Sequence, residues 1–372
     1  MPCPVSGLRH AARAGASTCW DGRVHLLGSD LADPQSCTWG SETAIATPDL
    51  SRRGLGIAVL RFVSGWKSRG PVAIEGRHLP VLLQEAMAIL RSRSGGRYLD
   101  ATVGMGGHAE ALLIGSGPSG HLCGIDRDAE ALVLARHRLG QFGDRVELLQ
   151  GEFGMVGSIA VENGWGPFDG ILFDLGLSSF QLDDASRGFS FTRDGPLDMR
   201  MDRQGGKKTA AELLARLPEG EIADILWRYG EERWARRIAS RIAAERRRRP
   251  FTSTAQLARL VAEAIPRPAW PRRIHVATRT FQALRIAVND ELGSLARGLQ
   301  DAIGLLVPGG RICIISFHSL EDRIAKETLR GWARSEPPRV RLLTKRPIVP
   351  TASEIEANPR ARSAKLRAAE RL

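Results

Sequence analysis

The stretch Asp100-Ala-Thr-Val-Gly104-Met-Gly106-Gly107-His108 decides the fold of this chain. It joins an apolar strand, which begins at Arg97, to a glycine turn and then to an apolar helical segment. A second strand, 121–125, follows and leads directly to the carboxylate of Asp126. A strand, a glycine turn, a helix and a second strand that ends in an acid is the arrangement with which α/β enzymes hold a nucleoside. The acid is expected to accept hydrogen bonds from two ribose hydroxyls.

The carboxylate of Asp100 favours a cationic cofactor. In dinucleotide enzymes a pyrophosphate lies against the helix N-terminus, where a nearby carboxylate opposes it. S-adenosylmethionine instead carries a sulfonium and an ammonium, which a carboxylate attracts. We therefore expect S-adenosylmethionine rather than NAD. A tight turn between strand and helix with no ligand is the alternative, since glycines after strands are common.

The composition is that of a basic protein with a sizeable core. The chain has 372 residues, of which 43% are hydrophobic, and its 53 Lys and Arg exceed its 41 Asp and Glu to give a net charge of +12. No apolar run approaches the length that spans a bilayer. A charge of this sign attracts a polyanion, and nucleic acid is the expected partner. The five cysteines lack the C-x-x-C spacing of a zinc site, so we expect no metal and a reducing, cytoplasmic location.

The pattern along the chain predicts an interrupted α/β domain. Residues 1–75 show little sustained period and are expected to be a poorly ordered extension, for which an over-extended reading frame is the preferred explanation. In residues 76–184 strands and helices alternate, which indicates a parallel sheet. Strand signals stop in residues 185–279, where Arg/Glu-rich amphipathic segments predict an inserted helical domain. The sheet resumes in residues 280–372 with the strand 311–316.

Polar residues follow the fourth predicted strand, 168–174, at the sheet edge where ligands bind. They lie in Asp174-Leu-Gly176-Leu-Ser178-Ser179-Phe180-Gln181. Amino-group methyltransferases often carry an Asn/Asp-Pro-Pro-aromatic motif at this point, and this chain has the acid without the prolines. A loop whose acid caps a helix is the alternative interpretation.

Two other segments and two sets of arginines have both a functional and a structural interpretation. The segment 190–202 is either a site lid or, as is commoner, a surface linker. His318 follows a buried strand, where a base and a hydrogen-bonded structural histidine are both consistent with the sequence, and a Ser-capped helix start accounts for Ser319. Two arginine sets, 246–249 and the group formed by Arg272, Arg273, Arg279 and Arg285, are either phosphate contacts or helix-end charges.

The longer motifs resemble the bacterial 16S ribosomal RNA (cytosine-N4)-methyltransferase family. The resemblance runs from His78 to the C-terminus and rests on Asp174-Leu-Gly-Leu-Ser-Ser, Gln181-Leu-Asp-Asp, Arg187-Gly-Phe-Ser-Phe, Asp194-Gly-Pro-Leu-Asp-Met-Arg-Met-Asp202, Tyr229-Gly-Glu-Glu-Arg233, Ala277-Thr-Arg-Thr-Phe-Gln-Ala283, Ile315-Ser-Phe-His-Ser-Leu-Glu-Asp-Arg323 and Asn358-Pro-Arg-Ala-Arg-Ser363. Motifs of this length are highly specific. The chain departs from the family pattern at Phe180 and Val276, where proline is usual.

The resemblance implies a fold, an activity and a set of site residues. The fold is α/β, with a Rossmann-like class I methyltransferase sheet and an inserted all-helical domain. The activity is methylation of the exocyclic N4 amine of a decoding-centre (P-site) cytosine, with S-adenosylmethionine as cofactor and 16S ribosomal RNA of the small subunit as partner. A homodimer is compatible with it, and a membrane is not involved. The implied cofactor contacts are Gly106, Gly107, His108, Asp126, Phe153, Asp174 and Gln181.

The expected reaction is a direct, in-line methyl transfer in which the enzyme positions the amine and accepts a proton. Asp174 is the first candidate for the catalytic proton acceptor, and Asp198 is the second. Two alternatives remain open. One is a methyltransferase for another base or a protein amine with the same cofactor site, and the other is a non-enzymatic RNA-binding or assembly factor.

Overall fold

One sheet organises residues 80–372, the part of the chain that this computed structural model describes. The expected extension 1–75 and the start of the resemblance at His78 lie outside the described residues. Within them, seven strands lie in the order β3-β2-β1-β4-β5-β7-β6. The strands are β1 Arg97–Asp100, β2 His121–Asp126, β3 Val146–Gln150, β4 Phe168–Asp174, β5 Leu306–Ser316, β6 Val340–Leu342 and β7 Lys365–Arg371. The first five pair in parallel, and β7 pairs antiparallel with both β5 and β6.

Helices cover both faces of the sheet and form a separate group between β4 and β5. They are α1 Leu83–Leu90, α2 Gly107–Gly115, α3 Ala129–Leu139, α4 Val156–Glu162, α5 Ser179–Asp183, α6 Ala210–Arg216, α7 Glu219–Gly230, α8 Ala235–Glu245, α9 Thr254–Ala264, α10 Thr278–Asn289, α11 Glu291–Leu305, α12 Ser319–Ala333 and α13 Ala352–Ala357. In the part of the chain described, no helix is both long and apolar enough to cross a membrane. The α/β fold with a Rossmann-like sheet and inserted helices is confirmed.

The glycine turn forms as the sequence predicts. Gly106 has a φ of +83°, which is left-handed backbone that glycine adopts without strain, and α2 begins at the next residue. A Cβ on Gly107 would lie 2.5 Å from Pro80 Cγ, so the close packing of the turn also requires glycine there. At the next helix, Asp128 Oδ1 accepts the amide of Glu130 at 3.1 Å and caps the start of α3.

Alternate residues of the central strands enter different cores, because side chains along a strand point to opposite faces of a sheet. Ile171 and Phe173 of β4 pack in the core that contains α4, α11 and α12. Leu172 packs in the other core, with Cys313 and Ile315 of β5 and with α1 and α2. Asp174, two residues beyond Leu172, therefore projects from the α1/α2 face at the carboxyl edge of the sheet.

A third core belongs to the helices between β4 and β5 and extends further than the sequence predicts. The expected domain boundary at residue 279 would divide α10, whose Phe281, Leu284 and Val288 lie in this helical core. The apolar stripe of α10 continues the insertion, whereas α11 packs its Leu295 and Leu299 against the sheet. The strand expected at 311–316 also begins earlier, at Leu306, because a change of register between β4 and β5 absorbs the Pro-Gly-Gly segment as a bulge.

Candidate cofactor and methyl-transfer site

A cavity of about 350 Å³ opens at the carboxyl ends of β1, β2 and β4. This is the edge at which parallel α/β sheets bind their ligands. Six of the seven expected cofactor contacts line it, namely Gly107, His108, Asp126, Phe153, Asp174 and Gln181. The seventh, Gly106, does not line the cavity and packs in the turn against α3, where a Cβ would lie 3.3 Å from Leu139.

The end of β2 holds Asp126 by two backbone amides. Gly104 N donates to Asp126 Oδ2 at 2.7 Å, and Asp128 N donates to Oδ1 at 2.8 Å. Burial raises the pKa of this carboxyl above its ordinary range, although both amides act in the opposite direction. The glycine turn and the acid are thus joined directly, and the carboxylate is fixed in the cavity wall with lone pairs left to accept further hydrogen bonds.

Two acids and a histidine form a buried charge cluster beside the turn. His108 Nε2 lies 3.1 Å from the carbonyl of Val81, so that nitrogen carries a hydrogen, and Nδ1 lies 3.4 Å from Asp174 Oδ2. Burial alone would lower the pKa of His108, but the contact with Asp174 and the charge of Asp100 raise it above the ordinary value. The imidazolium form satisfies both neighbours, because a neutral ring would turn a lone pair toward the Asp174 carboxylate.

Asp100 forms the floor of this cluster. Its carboxyl is 1% exposed, and its Oδ1 accepts the amide of Thr102 at 3.0 Å. Burial raises the pKa of Asp100 to about 7, against the effects of the His108 charge and the Thr102 amide. Asp100 is not among the residues that line the cavity, so the carboxylates that a cationic ligand would meet beside the glycine turn are Asp126 and Asp174.

Asp174 has one carboxylate oxygen without a partner. Its amide donates to Thr102 Oγ1 at 2.6 Å, which fixes the end of β4, and Oδ2 faces His108. Oδ1 is buried and has no hydrogen-bond donor among the described residues. Leaving a buried acceptor unpaired costs free energy, so this oxygen suits an N–H donor that a ligand brings into the cavity.

Phe153 provides an aromatic wall opposite the acids. It packs edge-on against Phe173, with ring centroids 6.1 Å apart, and the guanidinium of Arg127 lies 5.4 Å from its ring centroid. A flat aromatic surface in the same cavity as Asp126 is suited to a purine ring.

Gln181 lines the cavity, but both ends of its amide are used within the protein. Its Oε1 accepts the amide of Ser178 in the capping box of α5, and its Nε2 donates to Asp128 Oδ2 at 2.7 Å. Phe180 does not disturb this loop, because Ser178 and Gln181 close the capping box on either side of it. The structure thus gives Gln181 a positioning role, in which it holds Asp128 next to Asp126.

Sequence reasoning missed Arg187, which completes this network. Arg187 is 1% exposed and donates to Asp128 Oδ2 at 2.7 Å, to Glu130 Oε2 at 3.1 Å and to the carbonyl of Met201 at 2.8 Å. Its motif was visible in the sequence, but no local spacing links it to an acid 59 residues earlier. Arg187 ties the loop before α6 to the start of α3.

Asp198 is not brought into the cavity, and the structure gives it another role. Its carboxylate forms a two-point pair with Arg200 at 2.7 and 2.9 Å, and it is absent from the residues that line the cavity. Burial would raise the pKa of Asp198, but the bonds and charge of Arg200 hold it below the ordinary value. The expectation that Asp198 is a second proton acceptor is not supported, because this acid already braces the loop 198–203.

The far wall of the cavity carries Arg285, Glu291 and Glu321. Arg285 pairs with Glu291 through two bonds of 2.8 and 2.7 Å and is largely buried, so it is not the phosphate contact that the sequence allowed. His318, rather than Ser319, caps α12, since its Nδ1 accepts the amide of Glu321. Ligand atoms of Glu291, His318 and Glu321 lie within 4.8 Å of one another, but the cap and the Arg285 charge already engage these groups.

The arginines at the end of α8 are used in different ways. Arg246 donates to the carbonyls of Leu214 and Leu217, both at 2.6 Å, and so closes the end of α6. Arg249 pairs with Glu245 on the surface, while Arg247 and Arg248 are exposed. Part of this set is therefore structural, and the exposed part stays available to a polyanion.

Comparisons with known proteins found a matching family model and similar relatives. A family model described as the MraW methylase family matches residues 75–372. The chain is 50% identical over 307 residues to the ribosomal RNA small subunit methyltransferase H of Syntrophobacter fumaroxidans, a match that covers 79% of this chain and 96% of that protein. It is 53% identical over 308 residues to the protein of the same name from Geobacter sulfurreducens, with 79% and 99% of the two chains covered.

Proposed function

Because the chain belongs to the MraW methylase family, we propose that it methylates 16S ribosomal RNA in the small ribosomal subunit with S-adenosylmethionine as donor. The target is the exocyclic N4 amine of a cytosine in the decoding centre. The names of the curated relatives support the substrate class, and the net charge of +12 favours a polyanionic partner. Specificity for cytosine N4 rests on the sequence motifs and on the site described above.

The observation that carries the proposal is the unpartnered Oδ1 of Asp174 in the wall of this cavity. The residues fit the cofactor, since Asp126 can accept ribose hydroxyls, Phe153 can face the adenine, and Asp174 can face the cationic methionine end. When bound, S-adenosylmethionine supplies an electrophilic methyl group on a sulfonium. Both carboxylates are already positioned, Asp126 by two backbone amides and Asp174 by His108.

Asp174 performs the central step in this mechanism. Its Oδ1 accepts one N–H of the cytosine amine and holds the nitrogen lone pair away from conjugation with the ring. As the new C–N bond forms, the amine becomes acidic, and Asp174 takes the proton. His108 stays protonated between Val81 O and Asp174 Oδ2 and keeps the carboxylate oriented. The domain division is also a proposal: the sheet and its helices bind the cofactor, and the helices from α6 to α10 contact RNA.

The test is methyl transfer to small subunits from cells that lack the endogenous enzyme. Purified protein is incubated with labelled S-adenosylmethionine, and the product is digested and identified by mass spectrometry. We expect label on N4 of one decoding-centre cytosine, which Asp174→Asn abolishes and the exposed control Asp144→Asn does not. Label on another base or on protein would refute the substrate, and binding of cofactor without any transfer would favour an assembly factor.

A further inference from the structure

Phe317 lies beside Asp174 because of the register between β4 and β5. Asp174 pairs with Ile315 in a parallel ladder, and the amide of Leu175 donates to Ile315 O at 2.9 Å. Two residues after Asp174 and two after Ile315, Gly176 faces Phe317, and a Cβ on the glycine would lie 3.2 Å from the ring. Gly176 has a φ of +104°. Its missing side chain and its left-handed backbone both let the phenyl ring approach this loop.

Asp174 and Phe317 project from the same face of the sheet. Leu172 shares a core with Cys313 and Ile315, and side chains along a strand alternate between faces. The residues two positions beyond Leu172 and Ile315 are Asp174 and Phe317, and both line the cavity. The free carboxylate oxygen and a half-buried aromatic ring therefore border one space.

The backbone under the Phe317 ring is fixed. Glu321 Oε2 accepts the amide of Phe317 at 2.8 Å and that of His318 at 3.2 Å. Glu321 is 2% exposed and belongs to the capping box that starts α12. The start of α12 thus holds the loop after β5 in place, and the ring has a defined position before any ligand arrives.

We propose that Phe317 and Asp174 form a base-binding subsite, in which the target cytosine stacks on the Phe317 ring and donates its amine to Asp174 Oδ1. This inference rests on the proposed function and names the residue that recognises the extruded base. A base must leave its stack to reach such a cavity, and an aromatic side chain replaces the lost stacking. This chain has Leu177 at the position where an Asn/Asp-Pro-Pro-aromatic motif has its aromatic residue, and Phe317, directly after β5, supplies a ring instead.

The test compares Phe317→Leu, Phe317→Tyr and Phe317→Trp with Phe142→Leu, which makes the same change at a half-buried ring on another part of the surface. Each variant is assayed for its thermal midpoint, for its dissociation constant for S-adenosylmethionine by calorimetry, and for kcat/KM on small subunits. We expect Phe317→Leu to lower kcat/KM by about 10- to 100-fold with an unchanged cofactor dissociation constant. The Tyr and Trp variants should retain most activity, because both rings stack, and Phe142→Leu should match the wild type.

Three results would overturn the subsite. The first is a Phe317→Leu variant with wild-type kcat/KM, the second is a loss of cofactor affinity equal to the loss of kcat/KM, and the third is Tyr or Trp variants as impaired as the Leu variant. Failure of the proposed function gives a different result, since the wild type then labels another base or a protein. If the wild type labels another base, the same Phe317 variants test whether that base stacks on Phe317. If it labels protein, both the proposed function and the subsite are refuted.

Discussion

Replacing Arg187 by methionine should destabilise the protein strongly. The side chains of Arg187 and Asp128 are 1% and 3% exposed and lie 2.7 Å apart. Removing one partner of a buried ion pair leaves an uncompensated charge, which costs about 3–5 kcal/mol. Methionine fills a similar volume, so the loss reports the charge and its bonds rather than a cavity.

The consequence for the thermal midpoint follows from this free energy. Each kcal/mol shifts the midpoint of a domain of this size by about 2–4 °C, so we expect a decrease of roughly 6–20 °C for Arg187→Met. Arg187→Lys keeps the charge but cannot reach Asp128 and the Met201 carbonyl together, and should give an intermediate midpoint. Cofactor affinity should fall in the same order, because the Asp128 amide holds Asp126.

The assay is a thermal scan at pH 7 with calorimetric titration of S-adenosylmethionine. Arg249→Met is the matched control, since its pair with Glu245 is on the surface and is worth at most about 1 kcal/mol. An Arg187→Met midpoint equal to that of this control would refute the reasoning. A Lys variant as unstable as the Met variant would show that the charge on Asp128 is not the cause.

The remaining predictions concern pH, thiols and the glycine loop. The pKa of Asp100 rises from 3.8 to about 7 on folding, so its protonated form favours the folded state; stability from this group is present at low pH and lost as pH rises through that window. Asp100→Asn should therefore reduce the decrease in unfolding free energy between pH 3.8 and about pH 7, measured by denaturant titrations at a series of pH values. A variant whose unfolding free energy depends on pH as steeply as that of the wild type would contradict this. Burial raises the pKa of the Cys123 thiol to about 12, so peptide mapping after alkylation should find Cys123 modified only in denatured protein. Gly176→Ala should lower both the thermal midpoint and kcat/KM, because its φ of +104° strains alanine and the new methyl meets Phe317; wild-type values of both would be inconsistent with the loop geometry.

The sequence predicted most of the sheet because its strands are apolar runs bounded by glycine turns and acids. The strand 168–174 was predicted at its observed bounds, and a helix was predicted after the glycine turn, where α2 lies. Local periodicity could not give the start of β5, because a bulge continues the strand through a Pro-Gly-Gly segment that is typical of a turn. Local periodicity could not predict where the inserted helical core ends either. The apolar face of α10 could pack against the sheet or against the inserted helices, and the sequence does not distinguish the two.

The candidate site was predictable where neighbours in sequence remain neighbours in space. The glycine turn, Asp126 and Asp174 follow from that rule, because the carboxyl ends of adjacent parallel strands meet at one edge. The pairing of Asp198 could not be predicted from its sequence motif, although the arginine that binds both of its carboxylate oxygens is only two residues away. Arg187 and Phe317 were missed as site residues because each acts on a partner more than 50 residues distant, Asp128 in one case and the Asp174 loop in the other.

One asparagine shows how the helical core and the sheet are joined. Asn289, at the end of α10, donates from Nδ2 to Met199 O at 2.8 Å and accepts at Oδ1 from the amide of Met201 at 2.9 Å. Its own carbonyl accepts from Arg127, next to Asp126, and from Lys207. A movement of the loop 199–207 would therefore strain bonds that end at Arg127, one residue from Asp126. Since buried polar groups lose free energy when unpaired, this junction resists independent motion of the helical core and the sheet.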